Sequence, residues 1–170
     1  MKCFCDEIEN QTVFPIVIKN NGNRYLTLYY YTVHSDSVLH SNTKRILYFQ
    51  SVAAMEAFCT INELQVDDEI VEYDFDALIE NPVDYTQILN HWNLLNTIAS
   101  TFGMFFEGDH NKYTSTYELL FKLSMTTEPI RPLYRLRQKD YKAILRVFRK
   151  KDRFLKLLEL YSEESSSILC

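Results

Sequence analysis

Glycine and proline are scarce in this chain: 3 Gly and 4 Pro in 170 residues. So few turn formers argue against a turn-dense β-sandwich or barrel. With Gly22, Gly103 and Gly108 alone, neither GxGxxG nor GxxxxGK[ST] can be written. Nucleotide enzymes that cradle phosphates on such loops are therefore excluded. No run approaches the ~18 consecutive apolar residues that a membrane-spanning helix needs. The first residues, Met1-Lys2-Cys3-Phe4-Cys5-Asp6-Glu7, have no apolar core of a secretory leader. Cysteine is sparse too. Cys3, Cys5, Cys59 and Cys170 do not form the dense framework of a small secreted domain, so reduced thiols in a cytoplasm are expected. His34, His40, His91 and His110 are scattered, with no HExxH and no paired Cys–His zinc spacing. No metal and no cofactor is expected.

Positive charge is missing from one long stretch. Between Ile46 and Asn111 there is no Lys or Arg, while twelve Asp and Glu occur there. Between Arg131 and Lys156 the balance reverses, with eleven Lys and Arg against Asp140 and Asp152. The overall charge of −5 hides this segregation. It marks either an interaction surface or two regions that neutralise each other.

Aromatics are plentiful, with 12 Tyr and 11 Phe, so disorder over most of the chain is excluded. Val13 to Ile18 reads as a short strand, which Pro15 assigns to a sheet edge. Asn20-Asn21-Gly22-Asn23 is a hairpin turn, since Asn and Gly tolerate positive φ. Arg24 to Val33 continues as a Tyr-rich strand, in which Tyr29 and Tyr31 share one face and Tyr30 takes the other. His34 to Thr43 reads as a loop and Arg45 to Phe49 as the third strand of an antiparallel meander. Ser51 caps a helix over Val52 to Leu64, with Val52, Met55, Phe58 or Cys59, and Leu64 near one face. Ile70 to Phe75 is a fourth strand. Asp84, with Gln87 three residues on, opens a longer helix carrying Tyr85, Ile88, Trp92, Leu95, Ala99 and Phe102 as a stripe. Gly103 or Gly108 ends it. Ser115 and Glu118 open the next helix, to about Met125. Glu128 to Pro132 is a loop, and the last helix spans about Gln138 to Tyr161 before a frayed tail, 162–170. Strands in the first half and helices in the second predict one α+β domain over residues 1–170. Its plan is an N-terminal antiparallel meander with a packed helix, followed by a helical half.

The segment Glu72-Tyr73-Asp74-Phe75-Asp76 alternates strictly. On a strand, Glu72, Asp74 and Asp76 share a face opposite Val71, Tyr73 and Phe75. Asp67, Asp68 and Glu69 precede it in a loop. Such carboxylates suit three roles: a solvated face, a negative surface for a basic partner, or ligands to a hard divalent cation. Arg146-Val147-Phe148-Arg149-Lys150-Lys151-Asp152-Arg153 is the corresponding basic cluster. It suits either phosphate contacts or the solvated side of an amphipathic helix whose apolar residues are Ile144, Leu145, Phe148, Phe154, Leu157 and Leu158.

Four segments together resemble a known group: RILYFQSVAAMEAF, IVEYDFDAL, DYTQILNHWNLLNTIASTF and the closing KDYKAILRVFRK. Their order is similar to that of bacterial immunity proteins, which protect a cell from toxins delivered by contact-dependent growth inhibition. The resemblance implies a cytoplasmic, non-catalytic antidote that binds one cognate toxin domain, a nuclease in many systems. No catalytic residue carries over. Nuclease toxins are often basic, so Asp67, Asp68, Glu69, Glu72, Asp74 and Asp76 are the expected contact residues. The basic C-terminal helix departs from this pattern. Two alternatives remain open, a metal-dependent hydrolase or nuclease using the same carboxylates and a nucleic-acid adaptor using Arg146 to Arg153.

Overall fold

The computed structural model describes residues 8–80, 84–126 and 136–162. The elements run β1 Ile8–Asn20, β2 Asn23–Thr32, β3 Asp36–Val38, β4 Ile46–Tyr48, α1 Val52–Ile61, β5 Gln65–Val66 and β6 Val71–Asp74. Then follow α2 Phe75–Glu80, α3 Tyr85–Thr101, α4 Thr114–Ser124, α5 Gln138–Phe148, α6 Asp152–Leu155 and β7 Leu158–Leu160. The fold is α+β, with strands gathered early and helices late. The described chain packs as two compact units, one of residues up to Asp74 plus those from Lys156 onward, the other of Phe75–Leu155.

The first unit is built on the β1–β2 hairpin. Asn21 and Gly22 have φ of 53° and 75°, and Asn20 faces Asn23 across them. Positive φ at both central residues is the turn whose twist matches that of paired strands. β1 is longer than the apolar run suggests and lies inside the sheet, with β2 antiparallel on one side and β5 and β6 parallel on the other. The assignment of Pro15 to an edge strand is thus corrected, for a local reason. The Val13 carbonyl accepts from the Asp67 N–H, so Val13 and, two residues on, Pro15 face the β5–β6 side. β5 pairs with Thr12 and Val13, and β6 with Ile16 to Lys19. The missing proline donor falls opposite the gap between them, where no ladder bond is lost.

The meander exists, but its third strand is β3, inside the stretch read as a loop. Arg45 to Phe49 instead supplies β4, which pairs in parallel with β7 and meets β2 through a Leu26–Phe49 bridge, a bond from Thr27 Oγ1 to the Leu47 carbonyl at 2.6 Å and the Tyr25–Tyr48 ring contact. The core of this unit joins Val13, Leu28 and Tyr30 of the sheet to Leu47, Phe49, Met55, Phe58 and Cys59. Each such burial contributes roughly 1.5–3 kcal/mol. Ser51 caps α1 by accepting from the Ala54 N–H at 3.2 Å, and the helix stops at Ile61, before Leu64.

In the second unit α3 is the central helix. Asp84 accepts from the Thr86 and Gln87 N–H groups, and α3 ends at Thr101 with Phe102 as C-cap, just before Gly103, where φ is +61°. Gly103 N–H donates to the Ser100 carbonyl and Met104 N–H to that of Ala99, which satisfies two carbonyls of the last turn. The buried surface is wider than the expected stripe and adds Leu89, His91, Leu94, Thr97 and Ile98. Three further expectations are corrected. Strand β6 ends at Asp74, because Phe75 begins α2. The Ser115–Glu118 capping box does not form; 3-10 turns at Glu107–Asp109 and Asn111–Tyr113 lead into α4, whose N-cap is Tyr113. The last helix is not continuous: α5 stops at Phe148, α6 is one turn, and Leu158–Leu160 is strand. The Glu128–Pro132 loop and residues 163–170 of the tail lie outside the described residues.

Candidate functional site

The six carboxylates singled out by sequence do not form one surface. Glu72 and Asp74 do share a face of β6, as alternation requires. Register sets Glu72 beside Val17 and Asp74 beside Lys19, and Lys19 beside Arg24 of β2. Lys19 Nζ pairs with Glu72 and reaches Asp74 Oδ2 at 3.5 Å, while Arg24 reaches Glu72 Oε2 at 3.2 Å. The hydrogen bond to Glu72 is the main cause that holds the Lys19 ammonium above its usual pKa. This face is therefore a cross-strand ion-pair row, already compensated within the unit. Asp76 leaves the set entirely, since it sits in the first turn of α2.

Asp67, Asp68 and Glu69 are different. They form the turn between β5 and β6, where Asp67 Oδ1 accepts from the Glu69 N–H at 3.0 Å. Asp68 and Glu69 are exposed. Among the described residues none of the three enters an ion pair. Because β5 ends beside Val13 and β6 begins beside Ile16, this turn runs alongside Phe14 and Pro15 of β1.

That neighbourhood is aromatic. Tyr30 is 2% exposed and belongs to the core, whereas Tyr29 and Tyr31 occupy the opposite face. The Tyr31 ring lies 5.3 Å from that of Phe14 and 5.5 Å from that of Tyr29, both edge to face. Tyr31 remains 43% exposed, and Ile70 and Val71 are exposed at the start of β6. Tyr73 shares the face of Val71, and burial, with Tyr31 nearby, pushes its phenol above the usual pKa. The Tyr29 hydroxyl donates to Asp36, a further carboxylate at the margin. A half-exposed aromatic cluster is thus rimmed by four acids: Asp36, Asp67, Asp68 and Glu69. Sequence reasoning had the alternation of Tyr29 to Tyr31 but not which face was core. Lys19 and Arg24 were missed because their partners are set by strand register.

Among the described residues, no group of three or more His, Cys, Asp or Glu is arranged to hold a metal ion. Burial pushes the Cys59 thiol up to about 11, so it is protonated at neutral pH. His91 is buried beside the α3 stripe, its Nδ1 donating to the Gln87 carbonyl at 2.7 Å and its ring edge-on to Phe75 at 4.7 Å. The basic cluster is divided. Lys151 is buried and paired with Asp152, whereas Arg146, Arg149, Lys150 and Arg153 are exposed.

No family model matches the chain, and no curated protein matches it. The crystal structure of the SatS C-terminal domain in complex with bromine is similar, with a TM-score of 0.52 at 20% identity over 89% of this chain and 95% of that one. At this identity the likeness is one of fold. No helix among the described residues is long and apolar enough to cross a membrane.

Proposed function

We propose that this chain is a cytoplasmic protein-binding inhibitor of the immunity type, which neutralises a cognate bacterial toxin domain by direct contact and catalyses nothing itself. One observation carries the reading: the half-exposed Phe14–Tyr29–Tyr31 cluster beside the uncompensated acids of the β5–β6 turn. Tyrosine anchors within a polar rim are the usual energetic pattern of a protein interface. Carboxylates without internal cations speed capture of a basic partner such as a nuclease domain. Glu72 and Asp74, bound to Lys19 and Arg24, contribute less than Asp67, Asp68 and Glu69.

The test uses the tagged chain and a D67S/D68S/E69S variant as baits in a native lysate. The reading expects one stoichiometric partner, retained by the wild-type chain at moderate salt. That partner should arrest growth when expressed alone, and co-expression of the wild-type chain should restore growth. The variant should associate about tenfold more slowly, with a flatter salt dependence. A captured partner that does not arrest growth, or rescue by a chain that does not bind it, would refute the proposal. Equal association rates for the two baits would remove the acidic turn from the interface.

A further inference from the structure

The strongest feature outside the aromatic site is the outer side of α5. Lys139, Lys142, Arg146 and Arg149 follow one another at spacings of three and four residues, and all four are exposed. At 3.6 residues per turn they form one stripe, about 15 Å long from first to last. Lys150 is exposed beside its end. The stripe cannot rotate inward, because Ile144, Val147 and Phe148 on the other side are buried and Asp140 is bonded to Thr116. Among the described residues, none of the four cations forms an ion pair. Cations near a helix C-terminus also offset the macrodipole, which accounts for Arg146 and Arg149. It does not account for Lys139 and Lys142, which lie in the N-terminal half, where that field opposes them.

We infer that the Lys139–Lys142–Arg146–Arg149 stripe is a binding site for an extended polyanion, the phosphate backbone of a nucleic acid. Three features favour phosphates over an acidic protein or a membrane. The stripe carries no exposed large apolar side chain, so it lacks the anchor that a protein interface would bury. The apolar face of α5 is occupied inside its own unit, so nothing is left to insert between lipids. Regularly spaced point charges without an anchor match a backbone that is itself a regular row of charges. Such contacts position the chain on nucleic acid without reading bases. The inference stands independently of the aromatic surface on the first unit.

Fluorescence anisotropy with a labelled DNA duplex of about 20 base pairs tests it. Four phosphate contacts predict a slope of log K against log salt of about −3 to −4, or roughly a hundredfold loss between about 50 and 200 mM salt. The K139Q/K142Q/R146Q/R149Q chain should lose most of that slope and at least about tenfold in low-salt affinity. Each single Gln variant, checked for native circular dichroism, should lower the slope by about 1. No binding at about 50 mM salt, or an unchanged slope in the variants, overturns the site. Displacement of the duplex by polyglutamate or phosphatidylglycerol vesicles at equal or lower charge concentration overturns the assignment to nucleic acid.

Discussion

Trp92 sits at the centre of the second unit, within 6.4 Å, ring to ring, of Phe106, Tyr113, Tyr117 and Phe148. Gly108 is what lets the following turn close over it. A Cβ there would lie 2.3 Å from Phe106 Cε1 and 2.8 Å from Trp92 Cε2. Both rings are buried, so neither can step aside without moving its neighbours. Gly108→Ala should therefore destabilise the chain by about 1–3 kcal/mol, read by urea unfolding. A loss below about 0.5 kcal/mol would mean the rings have room to spare. Sequence alone offered Gly103 and Gly108 as equivalent ends for α3. They do different work: Gly103 supplies a positive φ, with open space around it, and Gly108 supplies the absence of a side chain.

At the scale of elements, the joint between α4 and α5 rests on one buried carboxylate. Asp140, 2% exposed, accepts from the Arg137 N–H at 2.9 Å, Arg137 Nε at 3.3 Å and Thr116 Oγ1 at 3.1 Å. It caps its own helix and ties it to α4. Asp140→Ala should cost about 3 kcal/mol, since it strands the buried Thr116 hydroxyl and removes the cap on the Arg137 N–H, and Thr116→Val about 1 kcal/mol. Because the two share a bond, their double mutant should fall short of the sum by at least about 0.5 kcal/mol. Strict additivity in denaturant unfolding would show that the bond carries nothing. Helix starts at Ser51 and Asp84 were legible because a cap acts on N–H groups two or three residues away. The start of α4 was not, because it is set by 3-10 turns that bring Tyr113 to Trp92, and Ser115 falls inside the helix.

On the scale of the whole molecule, the chain's late residues complete its early unit. β7 pairs with β4, and the Tyr161 ring packs 5.2 Å from Phe49 and 5.1 Å from Phe58. Removing residues 158–170 should expose Leu47 and Phe49, lower the melting temperature and increase binding of a hydrophobic dye. Tyr161→Ala alone should cost about 2 kcal/mol, less than for a fully buried aromatic because the ring is half-exposed. An unchanged melting temperature on truncation would mean that β4 holds without its partner. The same pairing explains the broken last helix. The helical pattern from Gln138 onward is genuine, but β4 offers an unpaired edge, and Leu158–Leu160 satisfies it as strand.

The sequence by itself determined whatever depends on near neighbours. The Asn21-Gly22 turn, the caps at Ser51 and Asp84, the α3 stripe, the opposite facing of Tyr29 and Tyr30, and the α+β order all follow from spacings of a few residues. The segregation of charge was legible in the same way. Tertiary structure alone decided which of those charges are answered. Lys19 and Arg24 are distant in sequence from Glu72 and Asp74, and only strand register brings them together. It also decided that Tyr30 faces the core and Tyr31 the solvent, and that Leu158–Leu160 is a strand. Each of these turns on a partner dozens of residues away, which no local periodicity encodes.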